Sequence, residues 1–300
     1  MKTRLTRALV AVELLKVRKR WLPYVLLAVM LLGAAIQIWL AGYSAWRQAR
    51  SQAGEDIASA LRSFVLPYSL PALLDSGQYW GSLLIGILTA SAVATEYSWG
   101  TVRQAILRGQ SRSDYLILKM IGVVIVGTIA LLVTLGFGLL LSIWATSVAG
   151  EPVTFHPAGV NLSACEAVLM ILRAGYCILP YFLLAFALTV IGRSTALGVA
   201  GILLYMIMES ILVAILGGLP EPAHTIRAFT LGHNVSAVLA ANNLGSAQFN
   251  SMAFRDTPIA RELPSAWAGA MAIAVYCVIF VSVTFYVFQK RDMTAQAGAS

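Results

Sequence analysis

Six stretches of this chain run for about twenty residues or more with almost no charge: residues 21–41, 70–94, 121–145, 168–191, 196–216 and 268–288. A bilayer core about 30 Å thick is crossed by about 20 apolar residues in helical form. Backbone amides in lipid must bond within their own segment, so each stretch is expected as a helix. Together they take nearly half of the 300 residues, and the longest stretch between two of them is 217–267. Composition agrees: 59% hydrophobic and 11% charged residues, where a soluble domain carries about 25% charge. The expected fold is an all-α polytopic membrane protein with six transmembrane helices. The second stretch is the least clean, with Pro71 and Asp75 in its first turns. A secreted disulfide scaffold, a disordered chain and a cytosolic enzyme are excluded.

The first stretch follows a basic segment, as a signal peptide would. Its apolar run exceeds the 7–15 residues or so of a signal h-region, so it reads as a retained span. Trp21 and Tyr24 at one end, and Trp39 and Tyr43 at the other, suit the two membrane interfaces. Lys and Arg set the orientation. With the N-terminus inside, fourteen fall on the cytoplasmic side (Lys2 to Arg20, Arg103 to Lys119, Arg193, Lys290 and Arg291). Six fall outside: Arg47, Arg50, Arg62, Arg227, Arg255 and Arg261. Both termini are expected to be cytoplasmic.

Residues 1–20 carry Leu5, Leu9, Val12 and Leu15 at near-helical spacing, with Arg4, Arg7 and Arg18–Arg20 elsewhere. This predicts an interfacial amphipathic elbow helix along the inner leaflet. The inner loop 95–120 is denser in signals. Glu96, Gly100 and Arg103 are spaced i, i+4 and i+7, as on one helix face. Gly109 suits a helix C-terminus, and Ser111 or Ser113 suits the next N-cap. Arg112, Tyr115 and Lys119 then share a face leading into the third span. A charged helix–turn–helix at a membrane surface fits a groove on a soluble partner; a solvated positive-inside loop is the simpler alternative. The outer loop 217–267 is long, and Thr225–Leu244 reads as a short interfacial or re-entrant helix through Ile226, Phe229, Leu231, Val235, Val238 and Leu239.

Arg173 and Glu209 lie inside the fourth and fifth stretches at similar depth. Charges there are costly and pair or face a cavity, so a salt bridge between them is expected, either lining a path or locking two helices. Asp75 and Glu166 are expected near the outer interface and wet. The three cysteines form no CxxC spacing, and His156, His224 and His233 have no close carboxylate partners, so no metal site is expected. No catalytic motif and no GxxxxGK[ST] phosphate loop occurs.

Glu96 to Thr101 together with Arg112 to Lys119 read E-x-x-x-G-T … R-S-x-Y-x-x-x-K. That pattern resembles the permease subunits of bacterial ABC-2 type transporters. Glu13–Arg20 (ELLKVRKR) resembles their first helix, and Leu231-Gly232-His233-Asn234 before the last stretch also matches. The resemblance implies that loop 95–120 is a coupling helix docked on a separate ATP-binding subunit. Glu96, Gly100, Thr101 and Arg103 would be at or near that contact, with Arg108, Arg112 and Lys119 flanking it. It further implies two copies of the ATPase, which would hold ATP and magnesium, and a second, identical permease chain. The setting would be the bacterial cytoplasmic membrane, the work export of an apolar or amphipathic substrate. No cofactor on this chain and no nucleic-acid partner are expected. Two other readings stand: a membrane-embedded enzyme acting on lipid through Arg173, Glu209 and Asp75, and a non-transporting sensor or structural subunit.

Overall fold

The computed structural model describes residues 11–43, 47, 65–67, 69–150, 152–153, 162–217, 226–242 and 263–290. Among them all regular structure is helical. Helix α1 covers 11–18. It is followed by α2 (Leu22–Ile36), which continues as a π-helical segment, Gln37–Tyr43. Next come α3 (Ser69–Ser98), the short α4 (Thr101–Leu107) and the long α5 (Arg112–Ala149). Helices α6 (Ala164–Gly192), α7 (Thr195–Gly217), the short α8 (Leu231–Ala240) and α9 (Ala266–Lys290) complete the order.

Five of the six expected stretches are helices long and apolar enough to cross a membrane: those of α2, α5, α6, α7 and α9. The remaining one, α3, has 30 residues and so is about 45 Å long, but it is more polar. Its place explains its composition. It runs inside the bundle against α2, α5, α6 and α7, where protein rather than lipid covers it. Its buried hydroxyl and amide side chains are tolerated there because they find partners. Ser69 Oγ lies 2.6 Å from Ser142 Oγ, Gln78 Nε2 donates to Ser82 Oγ (3.1 Å), and Thr89 Oγ1 donates to the Ile85 carbonyl (2.6 Å).

Local sequence marks the helix ends. Pro23 stands in the first turn of α2, where a missing N–H does no harm. Ser111 caps α5 by accepting the Asp114 N–H at 3.0 Å. Ser163 and Glu166 form a reciprocal capping box on α6. Glu166 is exposed, as expected, whereas Asp75 is half-buried. Aromatic rings gather at the ends of the bundle. Trp39 lies tilted against Tyr43 and Trp144 (5.2 and 4.2 Å between centroids), while Trp21 and Trp99 are exposed at the opposite end. Such girdles suit side chains with an apolar body and a polar tip at an interface.

Apolar contacts fall into two main buried clusters. One joins Leu74, Met170, Tyr181, Ile202 and Ile273 with Leu231, Val235 and Leu239 of α8. The other, toward the α4 end, joins Val17, Leu88, Val93, Leu116, Phe186 and Phe288. The short helix expected within 225–244 is therefore present and sunk into the bundle; Ile226 and Phe229, just ahead of it, are exposed. Expectations for the first outer loop, for residues 1–10, and for His156 and His224 lie outside the described residues.

Candidate functional site

The expected helical face through Glu96, Gly100 and Arg103 does not form. Gly100 takes φ 67°, a left-handed conformation that glycine adopts without strain. The chain therefore breaks between α3 and α4 instead of running on. Thr101 Oγ1 donates to the Glu96 carbonyl at 3.2 Å, tying off the end of α3. The Gly-Thr pair thus makes a sharp corner. At its far end α4 closes as expected on Gly109 (φ 90°). The Gln110 and Gly109 amides donate to the Ala105 and Ile106 carbonyls (3.2 and 3.0 Å), a Schellman motif.

Glu96 turns inward and is almost wholly buried. Its Oε1 lies 2.7 Å from Lys119 Nζ on α5 and 3.2 Å from Lys16 Nζ on α1. Glu13 of α1 closes a ring of alternating charge, with Oε1 2.5 Å from Lys16 and Oε2 2.8 Å from Lys119. Tyr115 donates its hydroxyl to Glu96 Oε2. Burial pushes the Glu96 pKa up, but Lys119, Tyr115 and Lys16 outweigh it and hold the carboxyl below its ordinary value. For Lys16 burial acts downward, and Glu13 and Glu96 outweigh it to raise its pKa. Glu13 and Lys16 are the members that sequence reasoning missed; the lone acid in a basic segment was the available signal. Arg20, also missed, donates to the Ser91 carbonyl (3.3 Å) and Thr95 Oγ1 (3.1 Å) and sits over the Trp99 ring (5.4 Å).

Beside this ring α4 presents a different surface. Val102 is buried beneath it, while Arg103, Gln104, Leu107 and Arg108 are exposed. Arg112 reaches across to the end of α9, donating to the Gln289 carbonyl at 2.7 Å. The loop residues singled out from sequence therefore divide. Glu96, Tyr115 and Lys119 bind helices together, whereas Arg103 and Arg108 face outward.

A second charged region lies on α6, α7 and α8, and there the expected Arg173–Glu209 salt bridge is absent. Glu209 Oε1 instead accepts the Gly232 N–H at 2.6 Å, at the first turn of α8. Arg173 donates to the Ala241 carbonyl (3.0 Å) and Asn242 Oδ1 (3.2 Å) at its last turn. The physical reason is that α8 lies between them and offers each charge a helix end of complementary sign. A Cβ on Gly232 would stand 3.2 Å from Glu209 Oε2, so glycine gives the carboxylate its access. Among the described residues no group of three His, Cys, Asp or Glu stands close enough to hold a metal.

The model of a family described as a protein of unknown function, DUF2705, matches residues 76–294. The chain belongs to this family. The match takes in most of α3 and everything from α4 to α9, so the DUF2705 region holds Glu96, the Gly100 corner, Lys119 and the α8 dipole clamp. Glu13 and Lys16 lie ahead of it, and the charge ring joins the DUF2705 region to the segment before it. A comparison with curated proteins finds no match.

Proposed function

We propose that this chain is the membrane-spanning permease subunit of an ATP-driven ABC exporter, paired with a second copy of itself and two separate ATP-binding subunits. In this reading α3 is the sixth span, over residues 70–94, and both termini lie in the cytoplasm of a bacterial cell. The α4 end is then the cytoplasmic end. The substrate class, apolar or amphipathic, rests on the resemblance and on the scarcity of polar groups between the spans.

The observation that carries the reading is the mounting of α4. A two-turn helix exposes Arg103, Leu107 and Arg108 on its outer side. Its root is fixed to α1, α3 and α5 at once by a four-charge ring built on the buried Glu96–Lys119 pair. An exposed leucine flanked by arginines is suited to a partner's groove: the leucine supplies apolar contact and the arginines supply orientation. A rigid root lets force on α4 pass to three helices together. A solvated loop would need neither feature. Glu96 acts here as the anchor of the coupling helix rather than as a contact with the ATPase.

The test is co-purification of the tagged chain from its host in mild detergent. A P-loop ATPase should follow it in one-to-one ratio and be lost from the Leu107→Asp and Arg103→Glu variants. Recovery of the chain alone, in a detergent that keeps known membrane complexes whole, overturns the reading.

A further inference from the structure

A cavity of about 230 Å³ opens between α2, α3 and α5, larger than the engineered ~150 Å³ cavity that holds benzene. Its wall is apolar apart from Gln37, Ser76 and Thr134. A smaller hollow of about 80 Å³ continues along α2 and shares Met30, Leu84 and Leu131 with it. Helix α2 therefore leans on the bundle over a cleft instead of packing tightly. Leu32 and Ile36, both on the rim, are exposed.

The three polar groups differ. Ser76 donates to Gln37 Oε1, and Gln37 Nε2 donates to the Ala72 carbonyl at 2.9 Å, so these two are engaged with α3. Thr134 Oγ1 is buried and has no hydrogen-bond partner. That is unusual for this molecule. A helical threonine ordinarily bonds back to the carbonyl four residues before it. Thr89, Thr128, Thr146, Thr189 and Thr284 all do so, at 2.6 to 2.9 Å. An unpaired hydroxyl in an apolar site is destabilising. Here it lines a cavity large enough for a chain.

We propose that this cleft binds an apolar chain bearing one hydroxyl group, with Thr134 Oγ1 as its hydrogen-bond partner. No charged side chain lines the cavity. A carboxylate or phosphate would be left uncompensated there, and a neutral head group is selected. A hydroxyl on the ligand donates and accepts, as Thr134 does. The open side along α2 admits the chain sideways. The inference stands on the cavity and the hydroxyl, and does not depend on the exporter reading.

The experiment uses the full chain in nanodiscs, with 12-bromododecan-1-ol as quencher and Trp80, on the cavity wall, as reporter. The Trp80→Phe variant identifies the Trp80 share of the signal. Expected is saturable quenching of Trp80, relieved by dodecan-1-ol but not by dodecane. Thr134→Val should weaken binding roughly five- to tenfold, and Thr134→Ser should restore it. Gly77→Leu should abolish it, because Gly77 borders the cavity and a Cβ there meets nothing within 4 Å. A further sign separates a binding hydroxyl from a structural one: without alcohol, Thr134→Val should melt higher than wild type. Quenching that does not saturate, or that Thr134→Val leaves unchanged, overturns the proposal. Should Gly77→Leu fail to fold, the Thr134 pair of variants decides.

Discussion

Glu209 and Arg173 never meet, yet they act on one object: the carboxylate holds the first turn of α8, and the guanidinium holds its last carbonyl. A ten-residue helix is about 15 Å long, and each charge faces the end whose partial charge it complements. Two charges that would each be expensive in an apolar interior are compensated by the same backbone dipole. Glu209→Gln keeps an oxygen for the Gly232 N–H and loses only the charge, at a cost of about 0.3–2 kcal/mol. Glu209→Ala leaves that N–H unpaired as well and should add about 1–3 kcal/mol. Thermal unfolding in detergent ranks the two. Hydrogen exchange should show faster opening of α8 in the alanine variant, while α3 amides stay protected.

The buried pair at the other end predicts a different pattern. Glu96 and Lys119 are 3% and 4% exposed and 2.7 Å apart. Removing one partner strands the other, at about 3–5 kcal/mol, whereas replacing both with neutral side chains of similar volume is often close to neutral. Glu96→Gln and Lys119→Met should each lower the melting temperature sharply, and the double variant should recover much of the loss. Additive losses would show that the ring contributes little beyond its separate members.

Acid should release the same ring. The Glu96 pKa is lowered in the folded chain from an ordinary value of 4.5. Its stabilisation is therefore full above the unfolded value and is lost as pH falls through the lowered one. Lys16, with its pKa raised above 10.5, acts in the opposite sense: its contribution holds below that value and is lost as pH rises through the raised one. The contribution of these two groups should be flat through neutrality. Melting curves taken downward from about pH 7 should fall on an acid limb that Glu96→Gln makes shallower. An identical limb in that variant would place the acid sensitivity in other carboxylates.

Much of this arrangement was legible in the sequence, and what was hidden was hidden for physical reasons. Runs of apolar residues give away long helices, whether open like α2 or largely covered like α6; α2, α6, α7 and α9 were readable to within a few residues, while α5 begins nine residues ahead of its apolar run, at Arg112. Helix α3 was harder because it is covered by other helices, and Ser76, Gln78 and Ser82 dilute its apolar character. Local chemistry spoke plainly at Gly109 and Ser111, where one residue decides a helix end. Gly100 misled: its spacing from Glu96 fits a helix face, and only its positive φ shows that the face is broken. The depths of Arg173 and Glu209 suggested a pair, but the helix between them comes from a different stretch of chain. Glu13 matters through its contact with Lys119, far along the chain, and no spacing rule reaches that.

The corner at Gly100 offers the sharpest separation of anchor from contact surface. Nothing stands within 4 Å of a Cβ added there, so Gly100→Ala introduces no clash, only the strain of φ 67°, about 1–2 kcal/mol. That strain falls on the joint between α3 and α4, beside the Thr101 bond to Glu96. Leu107→Asp, by contrast, changes an exposed tip (76% exposed) and should alter stability by no more than about 0.5 kcal/mol. If α4 couples the chain to an ATPase, the two variants should fail differently. Leu107→Asp should melt like wild type and no longer retain the ATPase. Gly100→Ala should retain it more weakly, melt lower, and recover partly as Gly100→Asn, since asparagine tolerates the left-handed region better. Retention unchanged in both variants would remove α4 from the interface and leave the buried ring with a purely structural role.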